Sequence, residues 1–120
     1  MVSFSMDANG NIRRDDPSIQ DFCAWADAYQ KAYFPQHNPE IHIEVVDDAG
    51  GPACFVRSTK TIYIEKAATV SEKFSRIALL HEIIHINLIE DGGDPDEGHG
   101  VRFQAEVRRL FEAGAYKKLL

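Results

Sequence analysis

The stretch LLHEIIHINL, residues 79–88, places two histidines and a glutamate inside an otherwise apolar run. A polar side chain removed from water costs free energy unless it finds a partner, and an ionised one costs considerably more. The pattern Thr69-x-x-Glu72 predicts a helix start before this run, and Gly92-Gly93 predicts the helix end after it. Because the predicted helix is apolar on nearly every side, we expect it to be buried at the centre of its domain.

The polar residues of this helix form a metal-binding pattern. His81 and His85 stand four residues apart, so on a helix both imidazoles project from one face about one turn apart. Glu82 completes the pattern His-Glu-x-x-His, in which two imidazoles bind a zinc ion and the glutamate transfers a proton. We therefore predict one zinc ion per chain and a zinc-activated water, with Glu82 as the general base.

A catalytic zinc site needs a third protein ligand and leaves one position for water. His99 is the favoured candidate, because it lies between Gly98 and Gly100, where the backbone can bend closely around an ion. Thirteen residues separate it from His85, enough chain to leave the helix and return. Zinc also accepts carboxylate oxygen. The alternatives are therefore Glu106, Asp91, Asp94 and Asp96.

Three segments upstream alternate apolar and polar side chains, as strands with one buried face do. They are residues 41–45, 53–57 and 61–65, separated by polar and glycine-containing turns. We expect them to form a three-stranded, mostly antiparallel sheet. Strand 61–65 precedes the motif helix, so we expect it to offer the edge to which an extended peptide adds by backbone hydrogen bonds.

Two amphipathic helices complete the predicted domain. The N-terminal helix begins at Asp16-Pro17, a capping carboxylate followed by proline, and stops at Pro35. The C-terminal helix ends near Gly114, and its inward face carries Phe103, Val107, Leu110 and Phe111. The order helix, three strands, buried helix, helix predicts a small α+β domain. We expect a single domain over residues 1–120, with a loose arm or short hairpin at residues 1–15.

Composition and charge exclude several classes of function. With 44% hydrophobic and 27% charged residues, the 120-residue chain has the composition of a globular domain. Its net charge of −6 argues against nucleic-acid binding, which uses clustered lysine and arginine. We find neither a secretory signal nor a run of the roughly 18 apolar residues that a membrane helix needs. Cys23 and Cys54 form no CxxC pair, so we expect buried free thiols and a cytoplasmic location.

Two separated motifs, LLHEIIHINL and DEGHGVRF, resemble the core of the SprT-like zinc metalloproteases of the zincin superfamily. In that family, HExxH is followed after a similar loop by His-Gly-x-x-Phe at a helix start. The matching residues here are His81, Glu82, His85, His99, Gly100 and Phe103. The resemblance covers about residues 50–112 and implies a zincin-like fold and a zinc metallopeptidase acting on protein or peptide substrates.

The resemblance has limits. Val101 stands where family members often have proline, and a chain with two cysteines has no room for the four-cysteine zinc ribbon that some members carry. The resemblance therefore implies a minimal protease core and gives no support for DNA-dependent activation.

Other functions use the same residues. A metal-stabilised binding or regulatory module without turnover would keep the zinc for folding, but it would not need Glu82. A zinc hydrolase acting on a non-peptide amide or ester would share every residue named here. Either hydrolase needs a hydrogen-bond donor for the oxyanion. The candidates are Tyr63, Tyr116 and Arg57.

Overall fold

The structure, a computed structural model, describes residues 2–3, 19–92 and 98–117. Its helices and strands form the α+β domain that the sequence predicts. They are β1 (Val2–Ser3), α1 (Ile19–Tyr33), β2 (Ile41–Val46), β3 (Ala53–Val56), β4 (Thr61–Glu65), α2 (Glu72–Glu90) and α3 (Val101–Glu112). A 3₁₀ turn, Lys66–Val70, leads from β4 into α2.

The sheet has the strand order β1-β2-β4-β3. β2 pairs in parallel with β1 and β4, and only β3 and β4 are antiparallel, so the prediction of a mostly antiparallel sheet is wrong. Successive strands joined by short loops alternate in direction, so β2 and β4 run the same way. They become parallel neighbours because β4 lies between β2 and β3. The edge strands are therefore β1 and β3, and the prediction that strand 61–65 forms an edge is also wrong.

The start of the chain adds a short strand to this sheet. Val2 and Ser3 pair in parallel with Ile41 and His42. We predicted a loose arm or a short hairpin for residues 1–15, most of which lie outside the described residues. Residues 4–18, which contain the predicted helix start Asp16-Pro17, lie outside the described residues.

The beginning of α2 differs from the prediction. Its N-cap is Ser71, whose hydroxyl oxygen accepts a hydrogen bond from the Phe74 N–H at 3.3 Å. Thr69, the predicted cap, lies in the 3₁₀ turn and donates its hydroxyl to the Lys66 carbonyl at 2.7 Å. Both side chains are able to cap a helix. Ser71 does so because the chain completes one tighter turn before α2 begins at Glu72.

The centre of the core is α2, as its apolar composition predicts. Leu79, Leu80, Ile83 and Ile84 are fully buried between the sheet and the other helices. Each such side chain contributes about 1.5–3 kcal/mol of hydrophobic stabilisation. The helix ends at Glu90, just before Gly92, whose positive φ of 81° suits glycine. Although α2 is apolar, no described helix is long and apolar enough to cross a membrane.

The C-terminal helix follows its predicted pattern with one exception. Phe103 and Leu110 are buried against α2, whereas Phe111 is 61% exposed and was wrongly predicted to face inward. Positions 110 and 111 lie about 100° apart around a helix, so both cannot face the same narrow contact. Cys23 and Cys54 form no disulfide with each other, and both are partly buried rather than fully buried as predicted.

A buried pair of amides joins α1 to α2. The Gln30 side-chain nitrogen donates to Asn87 Oδ1 at 2.9 Å, and the Asn87 nitrogen donates back to Gln30 Oε1 at 2.8 Å. Gln30 also donates to the Phe34 carbonyl, and Asn87 to the Ile83 carbonyl. Because buried amides are costly without such partners, this pair fixes the position of α1 against the motif helix.

Candidate metal centre

Three histidine rings meet at one end of the domain. His81 and His85 lie one turn apart on α2, and His99 immediately precedes α3. The Nε2 atom of His81 lies 3.2 Å from that of His85 and 2.9 Å from that of His99. One ligand nitrogen from each ring lies within 4.8 Å of the other two. The structure thus brings together the three histidines that the sequence analysis singled out.

Two of the three distances between these nitrogens are compatible with a tetrahedral ion. Ligand nitrogens at about 2.1 Å from a tetrahedral zinc ion lie about 3.4 Å from one another. The two short distances around His81 are close to that value. Such a cluster is unfavourable when the lone pairs face each other with no cation or proton between them, so the arrangement itself favours a bound cation.

The protonation states of the rings also fit a metal site. Burial, together with the neighbouring His81 and His99, lowers the pKa of His85 to about 4. Burial, and then His99, lowers the pKa of His81. Both imidazoles on α2 are therefore neutral at physiological pH, which is the form that binds a metal ion. Imidazole ligands suit zinc and other transition-metal ions.

Phe103 packs against all three histidines. The centroid of its ring lies 4.8 Å from that of His81, 4.5 Å from that of His85 and 4.8 Å from that of His99. Gln104 donates to the His99 carbonyl at 3.2 Å and so ties the segment before α3 to the helix. His99 is exposed, whereas the rings on α2 are half-buried, so the cluster is open to solvent on the His99 side.

Glu82 is held against the edge of the sheet. Its side chain is 8% exposed, and its carboxylate accepts a hydrogen bond from the Phe55 backbone of β3. Burial raises the pKa of Glu82 from 4.5 to about 7, although the hydrogen bond from Phe55 opposes this shift. A carboxyl group with a pKa near the working pH is suited to accept and release protons.

The sequence did not indicate the hydrogen bond from the Phe55 backbone to Glu82. Phe55 contributes a backbone group, and a backbone donor leaves no signal in the identity of the side chain. Only the correct strand order, with β3 at the edge, would have indicated it.

The carboxylates considered as alternative ligands have other partners. Glu106 accepts a hydrogen bond from the Arg109 guanidinium, and Asp91 pairs with His37. Neither belongs to the metal-binding group found among the described residues. The other two alternatives, Asp94 and Asp96, lie outside the described residues.

The candidate oxyanion donors lie in different surroundings. Tyr63 has its hydroxyl 3.5 Å from that of Thr59, in the turn between β3 and β4. Tyr116 is part of the hydrophobic core, and burial raises its pKa. Arg57 lines a cavity with Lys60 and others at the far end of β3.

A mixed sheet beside a buried HExxH helix, with a third histidine before the next helix, defines a zincin-like domain of the metalloprotease type. The chain belongs to the SprT-like family, whose family model matches residues 22–118. That range contains the histidines and Glu82. No curated protein and no solved structure matched the chain in the same comparisons.

Proposed function

We propose that the protein is a zinc-dependent endopeptidase. The observation that carries the proposal is the convergence of three imidazoles, two from α2 and one from the segment before α3, beside a buried glutamate of α2. His81, His85 and His99 would hold the ion. When bound, zinc supplies a Lewis acid that polarises a water molecule and the carbonyl of the scissile peptide bond.

Glu82 moves the proton in this mechanism. Its carboxylate accepts a proton from the attacking water as the new C–O bond forms, and it then delivers that proton to the amine as the C–N bond breaks. The Phe55 N–H keeps the carboxylate oriented while leaving it free to change protonation state. A pKa of about 7 means that the carboxyl group can perform both steps near neutral pH.

Two observations favour catalysis over a purely structural zinc. A structural zinc site is closed by four protein ligands. The group found among the described residues contains three, which leaves a position for water. In addition, Glu82 is buried although burial disfavours its ionised form, a cost that a structural site would not need.

The test compares zinc-loaded wild type with Glu82→Gln on unfolded casein and gelatin. We expect the variant to keep its zinc and to lose at least about a thousandfold in cleavage rate, within the range that general bases contribute. Glu112→Gln, at an exposed glutamate of α3 away from the proposed site, is the matched control and should cleave like wild type.

Each remaining result selects another function. Cleavage by Glu82→Gln at the wild-type rate would refute the role of that residue. A wild type that binds zinc but cleaves neither proteins nor small amides and esters would be a metal-stabilised binding or regulatory module. Hydrolysis restricted to small amides or esters would point to a non-peptide substrate.

A further inference from the structure

A small apolar recess lies directly beside the proposed catalytic residue. It has a volume of about 190 Å³. Its walls are Pro52, Ala53, Phe74, Ile77 and Ala78, together with His81 and Glu82. Sites for separate small-molecule ligands usually measure about 300–1,000 Å³. This recess is therefore the size of a side-chain pocket rather than of a cofactor site.

The apolar wall belongs to the same helix face as Glu82. Phe74, Ala78 and Glu82 follow one another at four-residue intervals, and Ile77 lies one turn before His81. Phe74 is 47% exposed. Phe74, Ile77 and Ala78 line the recess together, and a contiguous apolar surface of this kind is typical of a ligand-binding groove.

The opposite wall belongs to the free edge of the sheet. The Pro52 carbonyl accepts a hydrogen bond from the Glu65 N–H at 2.9 Å, which marks a hydrogen-bonded pair between the segment entering β3 and β4. In an antiparallel ladder such pairs alternate with non-bonded ones. Ala53 and Phe55 therefore direct their backbone groups away from β4, towards the free edge, where Phe55 meets Glu82.

An extended peptide that adds to this edge would run past Glu82 with alternate side chains pointing to the α2 side. One end of the path is the apolar recess. The other end is a larger cavity bordered by charged residues, including Glu40, Arg57, Lys60 and Glu90. The two ends thus differ in chemistry, and the recess at the Pro52 end has the more apolar lining of the two.

We infer that the recess between Ala53, Phe74 and Ala78 binds an apolar side chain of leucine or phenylalanine size, next to the bond that is cleaved. The inference rests on the proposed endopeptidase function and adds a substrate preference to it. One apolar subsite gives preference without a strict sequence requirement, because a hydrophobic pocket discriminates by only about 10–200-fold.

The first experiment maps cleavage sites in a proteome-derived peptide library by mass spectrometry. For the wild type we expect leucine, methionine and phenylalanine to be enriched at one fixed position beside the cut. Phe74→Ser should reduce kcat/KM about tenfold or more for peptides with leucine at that position and should remove the enrichment. Phe111→Ser, at another exposed phenylalanine of a helix, is the matched control and should keep both.

A second variant tests the shape of the recess. Ala78→Met should fill it and shift the preference from leucine to alanine, while zinc content stays at the wild-type level. A cleavage profile with no apolar position, or one that Phe74→Ser and Ala78→Met leave unchanged, would overturn the inference and leave the endopeptidase function standing.

A binding measurement separates the two hypotheses if the wild type does not cleave. Zinc-loaded Glu82→Gln is titrated with fluorescein-labelled, alanine-rich decapeptides that carry one central leucine, phenylalanine or aspartate, and anisotropy is recorded. The leucine and phenylalanine peptides should bind more tightly than the aspartate peptide, and the double variant Glu82→Gln, Phe74→Ser should lose this difference. That result supports binding of an apolar side chain in the recess even without turnover. Equal affinity for all three peptides overturns it.

Discussion

Replacing Glu82 by glutamine should stabilise the metal-free protein at high pH. The folded chain raises the pKa of this carboxyl group from 4.5 to about 7, chiefly by burial. One pKa unit corresponds to about 1.4 kcal/mol, so keeping the carboxylate ionised in the folded state costs up to about 3 kcal/mol. Glutamine retains the acceptor for the Phe55 N–H and has no charge to desolvate.

The direction in which stability changes with pH follows from proton binding. Because the pKa of Glu82 is higher in the folded chain, its contribution to stability is complete below about pH 4.5 and is lost as the pH rises to about 7. His85 acts in the opposite sense, since its lowered pKa of about 4 makes the fold more stable as the pH rises towards 6.5. Comparing Glu82→Gln with wild type cancels the histidine contribution.

The assay is urea denaturation in the presence of a chelator at pH 5, 6, 7 and 8. We expect Glu82→Gln to exceed wild type by about 2–3 kcal/mol at pH 8 and by little at pH 5. Glu90→Gln, at an exposed position, should stay within about 0.5 kcal/mol of wild type throughout. A variant less stable than wild type at pH 8, or a difference independent of pH, would refute the reasoning.

Three further predictions concern the core, the metal centre and a thiol. Asn87→Ala should lower the free energy of unfolding by about 2–4 kcal/mol, because it removes two hydrogen bonds of the buried Gln30 amide and leaves the Gln30 oxygen without its donor. Full additivity with Gln30→Ala would contradict this coupling. Phe103→Ala should raise the zinc dissociation constant about 10–100-fold, measured by competition with a chromophoric chelator; an unchanged constant would show that the ring does not support the histidines. Burial raises the pKa of Cys23 to about 11, which lowers its thiolate fraction at pH 8. In a Cys54→Ser variant, iodoacetamide at pH 8 should therefore react about 100-fold more slowly with the folded chain than with the urea-unfolded chain. Equal rates would contradict the burial of Cys23.

The proximity of His81 and His85 could be predicted because it depends only on their spacing along one helix. Two residues four apart on a helix must share a face, whatever surrounds the helix. His99 was proposed as the third ligand from its glycine neighbours and from the His-Gly-x-x-Phe pattern, and the structure places it 2.9 Å from His81. Glu82 was found with the same motif, but its contact with the Phe55 backbone depends on the strand order.

Strand order could not be predicted because it is a non-local property. The segments 53–56 and 61–65 alternate in similar ways, and nothing in either shows which one lies between two neighbours. The strand order depends on which surface covers each strand after the chain has folded. For the same reason the choice between Thr69 and Ser71 as helix cap was decided by the 3₁₀ turn before α2, not by either side chain alone.

The most direct test of the account is the zinc content of purified, dialysed protein, measured by elemental mass spectrometry for wild type, His99→Ala and His42→Ala. His42 lies on the polar side of β2 beside Glu40 and serves as the matched control. We expect about one zinc ion per chain in wild type and His42→Ala and a large loss in His99→Ala, since three protein ligands define this type of site. Full zinc retention in His99→Ala would mean that another residue completes the site, and it would contradict the three-histidine centre on which the proposed function depends.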